Sequence, residues 1–147
     1  LINYFDFGAF VLADLPGYGY ARVSKTEKAK WAAMLESFFA AKDNIAHVFS
    51  LCDIRHEPSE GDKSMVGYLD YNLIPFTIIA TKADKLSRAQ ISRAVTAIAA
   101  AYKCGRDNVI PVSAVTKQGL ENVLAELDQV LASACAEEEG EDDGQSL

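Results

Sequence analysis

Phe76-Thr77-Ile78-Ile79-Ala80-Thr81-Lys82-Ala83-Asp84 is an apolar run that ends in a charged turn. A short run of this kind reads as a strand buried on both faces. Lys82 and Asp84 stand at its carboxyl end, where open α/β sheets bind their ligands. A carboxylate there can accept two hydrogen bonds, from N1–H and the 2-amino group of guanine. Adenine has no such donor pair, so Asp84 would discriminate strongly against it. The aliphatic stem of Lys82 can lie along a base or sugar. Taken alone, Lys-x-Asp after a strand is also a common solvated turn.

The pattern occurs twice more. Upstream, Ala9-Phe10-Val11-Leu12-Ala13 runs into Asp14-Leu15-Pro16-Gly17-Tyr18-Gly19. A nucleoside triphosphate needs a carboxylate near its magnesium, often through water. It also needs a backbone N–H that can approach the γ-phosphate with no side chain in the way. Asp14 and Gly17 suit these tasks, although Pro and Gly after a strand also mark an ordinary turn. Downstream, Val109-Ile110-Pro111-Val112 leads into Ser113-Ala114, small residues that let a backbone N–H reach guanine O6. Each turn is weak evidence by itself. Three in this order, each after its own apolar strand and separated by helix-bearing segments, point to a guanine-nucleotide site.

The rest of the chain alternates strands and helices. Leu1 to Phe7 and Ala9 to Leu15 read as a strand pair joined near Gly8. A helix follows with Trp31, Met34, Leu35, Phe38 and Phe39 on one face, and Ser24 with Glu27 forms a capping box at its start. Ile45 to Ile54 is a third strand, and a helix from about Gly61 carries Met65, Val66 and Leu69. Ser87 and Gln90 cap the helix that bears Ile91, Val95, Ile98 and Tyr102. The last helix shows Leu120, Val123, Leu124, Leu127, Val130 and Leu131, read as a core-facing stripe. This alternation predicts an α/β fold with a mostly parallel sheet covered by helices on both faces.

The chain has 147 residues, half of them hydrophobic, and a net charge of −7. The charge is concentrated at one end. Residues 136–147 hold six acids and no base, leaving 15 acids against 14 bases elsewhere. That composition predicts a disordered acidic tail over 135–147, after a single domain over 1–134. No apolar run approaches the roughly 20 residues of a membrane helix, and no membrane association is expected. Cys52, Cys104 and Cys135 match neither a disulfide framework nor a zinc site. They read as reduced thiols of a cytoplasmic protein. A catalytic Cys–His pair, with His47 or His56 beside Cys52, is the weaker reading.

With these motifs in place, the chain resembles one family of P-loop GTPases, the bacterial ribosome-assembly GTPase EngB, also called YihA or YsxC. The likeness is carried by Asp14 through Lys25, then Trp31, by Asp53-Ile54-Arg55-His56 with Asp62, by Thr81 through Leu86, and by Ser113-Ala114 with Gly119-Leu120. It runs from Leu1 to about Leu131. It implies the three-layer Ras-like P-loop GTPase fold and a GTP hydrolase. Asp14-Leu15-Pro16-Gly17, Thr81-Lys82-Ala83-Asp84 and Val112-Ser113-Ala114 would be the GTP-binding segments. Asp14 would hold magnesium through water, and Asp84 would fix guanine specificity. Thr81 stands where most GTPases have Asn. Tyr18 occupies the place of the water-orienting Gln in Ras-like GTPases, which implies slow intrinsic hydrolysis helped by a potassium ion or the ribosome. The implied partners are GTP or GDP and the large ribosomal subunit precursor with its rRNA. Arg22, Lys25, Lys28 and Lys30 are the candidates for rRNA phosphate contact, though such a cluster is also an ordinary solvated face. A role in cell division and septation would follow from ribosome assembly, and a monomer is expected.

No Gly-x-x-x-x-Gly-Lys-Ser/Thr phosphate loop occurs in residues 1–147. The opening Leu1-Ile2-Asn3-Tyr4-Phe5 reads as mid-strand, without a basic leader or a starting Met. The expectation is an N-terminally incomplete G domain lacking its first strand and phosphate loop, with Phe10 to Leu15 and Phe49 to Ile54 each short of a neighbour. Two other readings stand beside it. One is a truncated, non-catalytic interaction module; the other is a related GTPase acting on tRNA or small-subunit RNA.

Overall fold

The structure, a computed structural model, describes residues 1–17 and 24–144, with residues 42 and 141–144 described by backbone alone. It divides into two compact units, Leu1–Ile45 with Ser133–Leu147, and Ala46–Ala132.

In the first unit, β1 (Asn3–Asp6) pairs antiparallel with β2 (Val11–Asp14). Gly8 makes the turn at φ +83, a conformation that favours glycine. The Asp6 carboxylate accepts the Gly8 N–H at 2.8 Å and closes the hairpin. Both strands are shorter than their apolar runs suggest, and Tyr4, Phe5, Val11 and Leu12 are exposed. Helix α1 (Lys25–Ala40) opens on the expected capping box. Ser24 Oγ accepts the Glu27 N–H at 3.2 Å, and Glu27 accepts the Ser24 N–H at 3.3 Å. Of its expected stripe, Leu35 and Phe39 are buried, while Trp31, Met34 and Phe38 are half-buried.

The second unit holds a three-stranded parallel sheet in the order β3 (Val48–Asp53), β4 (Phe76–Thr81), β5 (Val109–Pro111). Its register aligns Asp53 with Thr81 and Ala80 with Pro111. The central strand β4 is buried from Thr77 to Ala80, as a two-sided apolar run requires. The edge strand β3 is only half-buried, and Leu51 is 66% exposed. The sequence suggested one sheet; the described residues form two, the antiparallel pair and the parallel three. Among the described residues β2 and β3 are each paired on one side.

Helix α2 (Glu60–Tyr71) starts at a second capping box, Ser59 with Asp62, and buries Val66 and Leu69. Helix α3 (Arg88–Tyr102) starts at Ser87 with Gln90 and buries Val95, Ile98, Ala99 and Tyr102. Val66 and the four α3 side chains pack with Ile54, Ile78, Ala80, Ala83 and Val109 into one core. Val66, Leu69 and Ile78 are the largest fully enclosed side chains among the described residues. Each contributes about 1.5–3 kcal/mol relative to exposure.

Helix α4 spans Leu120–Gly144. Leu120 and Leu124 are 47% and 51% exposed, while Val123, Leu127, Val130 and Leu131 are half-buried. The helix also continues through Gly144, across the segment whose composition predicted disorder. Extending a helix already nucleated costs far less than starting one, and Ala and Glu are good helix formers.

Candidate functional site

The carboxyl ends of β4 and β5 are tied together by backbone. The Val112 N–H donates to the Ala80 carbonyl at 2.8 Å, and the Ala83 N–H donates to the Val112 carbonyl at 2.9 Å. Two predicted guanine-reading turns, Thr81–Asp84 and Val112–Ala114, are thereby brought side by side. Ala83 is fully buried, which anchors the turn. Thr81 donates its hydroxyl to the Cys52 carbonyl at 3.0 Å, linking the same turn to β3. Lys82 adopts the left-handed conformation, φ +65, as the chain leaves the strand.

Side chains complete the join. Ser113 is 3% exposed, and its hydroxyl donates to Asp84 Oδ1 at 2.8 Å. Ser113 Oγ also accepts the N–H groups of Val115 and Thr116 at 3.2 and 3.1 Å. One hydroxyl thus holds the Asp84 carboxylate and caps its own loop. Asp84 Oδ2 lies 3.9 Å from Lys85 Nζ, and the Asp84 side chain is 14% exposed. The loop returns through Gly119 at φ +78, where an added Cβ would collide with the Pro111 carbonyl oxygen. Sequence reading placed Ser113 beside the base; its hydroxyl here is bonded to Asp84.

Lys82 has a partner that sequence reading did not assign. Its ammonium is 3.0 Å from Asp53 Oδ2. Asp53 is also gripped by Arg55, through Nε at 3.0 Å, Nη2 at 2.8 Å and the backbone N–H at 3.0 Å. Hydrogen bonds from Arg55 hold the Asp53 carboxyl far below the usual carboxylate range, against the opposing effect of burial. The signal was present in Asp53-x-Arg55, a spacing that permits a bidentate clamp.

In the first unit, Asp14 ends β2 with its side chain exposed, and Leu15 and Pro16 are half-buried. The Trp31 indole N–H donates to the Pro16 carbonyl at 2.8 Å, fastening α1 to the turn. Around Gly17 a Cβ would meet nothing within 4 Å, so its backbone is open to approach. Lys25 and Lys28 on the first turns of α1, and Lys30, are exposed. Tyr18 and Arg22 lie outside the described residues.

Among the described residues no Cys–His pair forms. Cys52 is a thiol whose burial pushes its pKa up to about 11, so it is not a thiolate near neutrality. His47 is hydrogen-bonded with Thr77 at 2.8 Å, and His56 lies 4.0 Å from Asp53. The three cysteines are free thiols. Among the described residues no group of three or more His, Cys, Asp or Glu could hold a metal ion. No helix among them is long and apolar enough to cross a membrane.

No protein-family model matches the chain. Curated relatives do. The probable GTP-binding protein EngB of Lachnospira eligens is 39% identical over 147 residues, which covers 99% of this chain and 68% of that protein. Its namesake from Caldanaerobacter subterraneus subsp. tengcongensis is 40% identical over 123 residues, 84% of this chain and 63% of that protein. That from Streptococcus thermophilus is 40% identical over 133 residues, 86% and 67% of the two chains. The chain therefore spans about two thirds or somewhat less of the length of these relatives. Among solved structures, a crystal structure of a probable GTP-binding protein EngB matches with a TM-score of 0.78 over 90% of this chain and 82% of that one. At 17% identity that match speaks to the fold, an α/β GTPase fold with a parallel sheet.

Proposed function

The chain belongs to the EngB family of GTP-binding proteins, and we propose that the protein it forms binds and hydrolyses GTP. The observation that carries this reading is the 2.8 Å hydrogen bond from Ser113 to Asp84. It leaves an oriented carboxylate at the carboxyl end of a parallel strand, where a guanine edge offers two N–H donors. Asp84 selects the base, Lys82 covers it with its stem, and Thr81, Ala83, Val112, Ser113 and Ala114 shape the pocket around them. Leu15, Pro16 and Gly17 form the phosphate-sensing turn.

Magnesium suits the residues present. It binds through one or two carboxylates plus phosphates and waters, and does not need a dedicated protein cage. The single exposed carboxylate of Asp14 fits that donor set. The ion would neutralise charge on the phosphates when bound. Tyr18 in place of a Gln suggests slow intrinsic turnover, raised by potassium or by the ribosome. The biological partner is the large ribosomal subunit precursor, with Arg22, Lys25, Lys28 and Lys30 against rRNA phosphates. Effects on cell division and septation follow from failed assembly. We place the protein in the cytoplasm as a monomer.

Calorimetric titration of the protein as its gene encodes it, with GDP and with ADP, tests the reading. A preference for GDP of at least about a hundredfold is expected from a site that must pair the base edge. Equal affinity for the two would sink the assignment. Residues 1–147 alone contain no phosphate loop and should bind weakly; submicromolar GDP affinity for that piece would contradict this. Hydrolysis should rise with potassium or with large ribosomal subunits. Binding to those subunits should be lost when Arg22, Lys25, Lys28 and Lys30 are all replaced by Glu.

A further inference from the structure

The Asp53–Lys82 pair asks more of the chain than a turn requires. Asp53 ends β3 in register with Thr81, so Lys82 leaves the adjacent strand one residue later. The Asp53 side chain is 6% exposed and that of Lys82 is 50% exposed. An enclosed anion therefore faces a cation that reaches out toward solvent. The anion is itself fixed by three donors from Arg55. The His56 N–H closes the same turn onto the Asp53 carbonyl at 3.2 Å. The left-handed backbone of Lys82 and the hydroxyl bond from Thr81 to Cys52 set the strand end from which this side chain departs.

A free lysine side chain samples many rotamers, and ordering one costs on the order of 2 kcal/mol. An ammonium already held at 3.0 Å loses most of that freedom before any ligand arrives. We propose that Asp53 is a positioning residue for the guanine-nucleotide site, acting through Lys82: clamped by Arg55, it pre-sets the Lys82 stem that covers the base. This rests on the GTP-binding reading above and adds a residue outside the three nucleotide-binding segments. The competing role is purely structural, with Asp53 serving only the 53–56 turn.

A double-substitution cycle separates the two roles. Asp53→Asn, Lys82→Met and the pair together are made in the protein as its gene encodes it, and GDP affinity is measured for each. Each single change should weaken binding about tenfold. The double variant should be no weaker than Lys82→Met alone, since Asp53 has then lost the group it acts through. Losses that multiply would overturn the proposal. Without nucleotide, the Lys82 ammonium should give a slowly exchanging nitrogen-15 signal, identified by its absence in Lys82→Met. That signal should vanish in Asp53→Asn; persistence there would also overturn the proposal. If Asp53→Asn does not fold, Asp53→Ser, which also removes the carboxylate, takes its place in the cycle. Failure of the unsubstituted protein to bind GDP would instead remove the GTP-binding reading on which the proposal stands.

Discussion

The indole N–H of Trp31 reaches the Pro16 carbonyl at 2.8 Å, fifteen residues back along the chain. The helix that follows the Asp14–Gly17 turn is thereby bonded to the turn itself. Any movement of α1 is felt at the backbone beside Gly17. Trp31→Phe keeps an aromatic ring and removes the donor. It should destabilise the protein by about 1 kcal/mol, the worth of one neutral hydrogen bond. Amide exchange at Gly17 should quicken at the same time, followed by hydrogen–deuterium exchange. An unchanged Gly17 rate would mean that the bond does not hold the turn.

Ser113→Ala tests the join between the β4 and β5 ends. The substitution leaves the N–H groups of Val115 and Thr116 without their acceptor, and the Asp84 carboxylate without its donor. Losing a partner at an enclosed site costs about 1–3 kcal/mol. Urea unfolding should show a lower midpoint with an unchanged slope. GDP affinity should fall as well, because Asp84 loses its fixed orientation. A fall in stability with full retention of GDP affinity would show that Ser113 supports only its loop.

Where local chemistry dominates, the chain was legible. Ser24 with Glu27 and Ser87 with Gln90 announce two helix starts, and both form complete capping boxes. The uninterrupted run Phe76 to Thr81 announces the buried central strand. Gly8 announces the hairpin. The three-residue spacing of Ser59 and Asp62 carried the same capping message at α2, with Asp in place of the more familiar Glu. Relations set by register were not legible. Asp53 meets Lys82 because β3 and β4 align Asp53 with Thr81, and no one-dimensional pattern states which residues two parallel strands bring level. The acidic end is a separate case. Composition argued against independent folding, whereas the residues there continue a helix already begun.

Asp84→Asn should change the base and keep the fold. Asn presents one acceptor and one donor where Asp presents two acceptors. Xanthine offers N1–H beside a carbonyl in place of the amino group, so it complements the amide. GDP affinity should drop roughly tenfold to a hundredfold, as when a hydrogen bond to a charged group is lost. Xanthosine diphosphate should gain in the same measure. Loss of both nucleotides together would indicate a collapsed loop, and retention of GDP affinity would remove Asp84 from the site.

Gly119→Ala addresses the return of the loop that carries Ser113. The residue sits at φ +78, and its Cβ would strike the Pro111 carbonyl oxygen, a backbone atom of β5. A backbone atom in a paired strand cannot swing aside as a side-chain tip can. Strain at a left-handed position alone costs about 1–3 kcal/mol. The collision adds to it, so a loss at the upper end of that range is expected in thermal unfolding. Gly105→Ala is the control: nothing lies within 4 Å of its added Cβ, and its backbone is extended. If both variants melted alike, the close approach at Pro111 would not matter energetically.

His47 provides a pH dependence whose sign is fixed by its surroundings. Its ring is hydrogen-bonded with Thr77 at 2.8 Å, lies 4.9 Å from the Phe49 ring, and has Glu126 at 4.0 Å. Burial pulls the imidazole below its ordinary value of 6.5, and Glu126 opposes this without reversing it. The unfolded chain therefore takes up a proton at a higher pH than the folded one. Stability rises with pH wherever the unfolded state binds more protons. It should fall as pH drops below about 6.5 and level off once pH passes beneath the folded value. Urea midpoints measured from pH 7.5 down to 5.5 test this. His47→Gln keeps a polar group for Thr77 but cannot titrate, so its curve should be flatter across that window. A rise in stability toward acid that is lost in the variant would show that Glu126 outweighs burial at this site, and an identical slope in the variant would show that the two cancel.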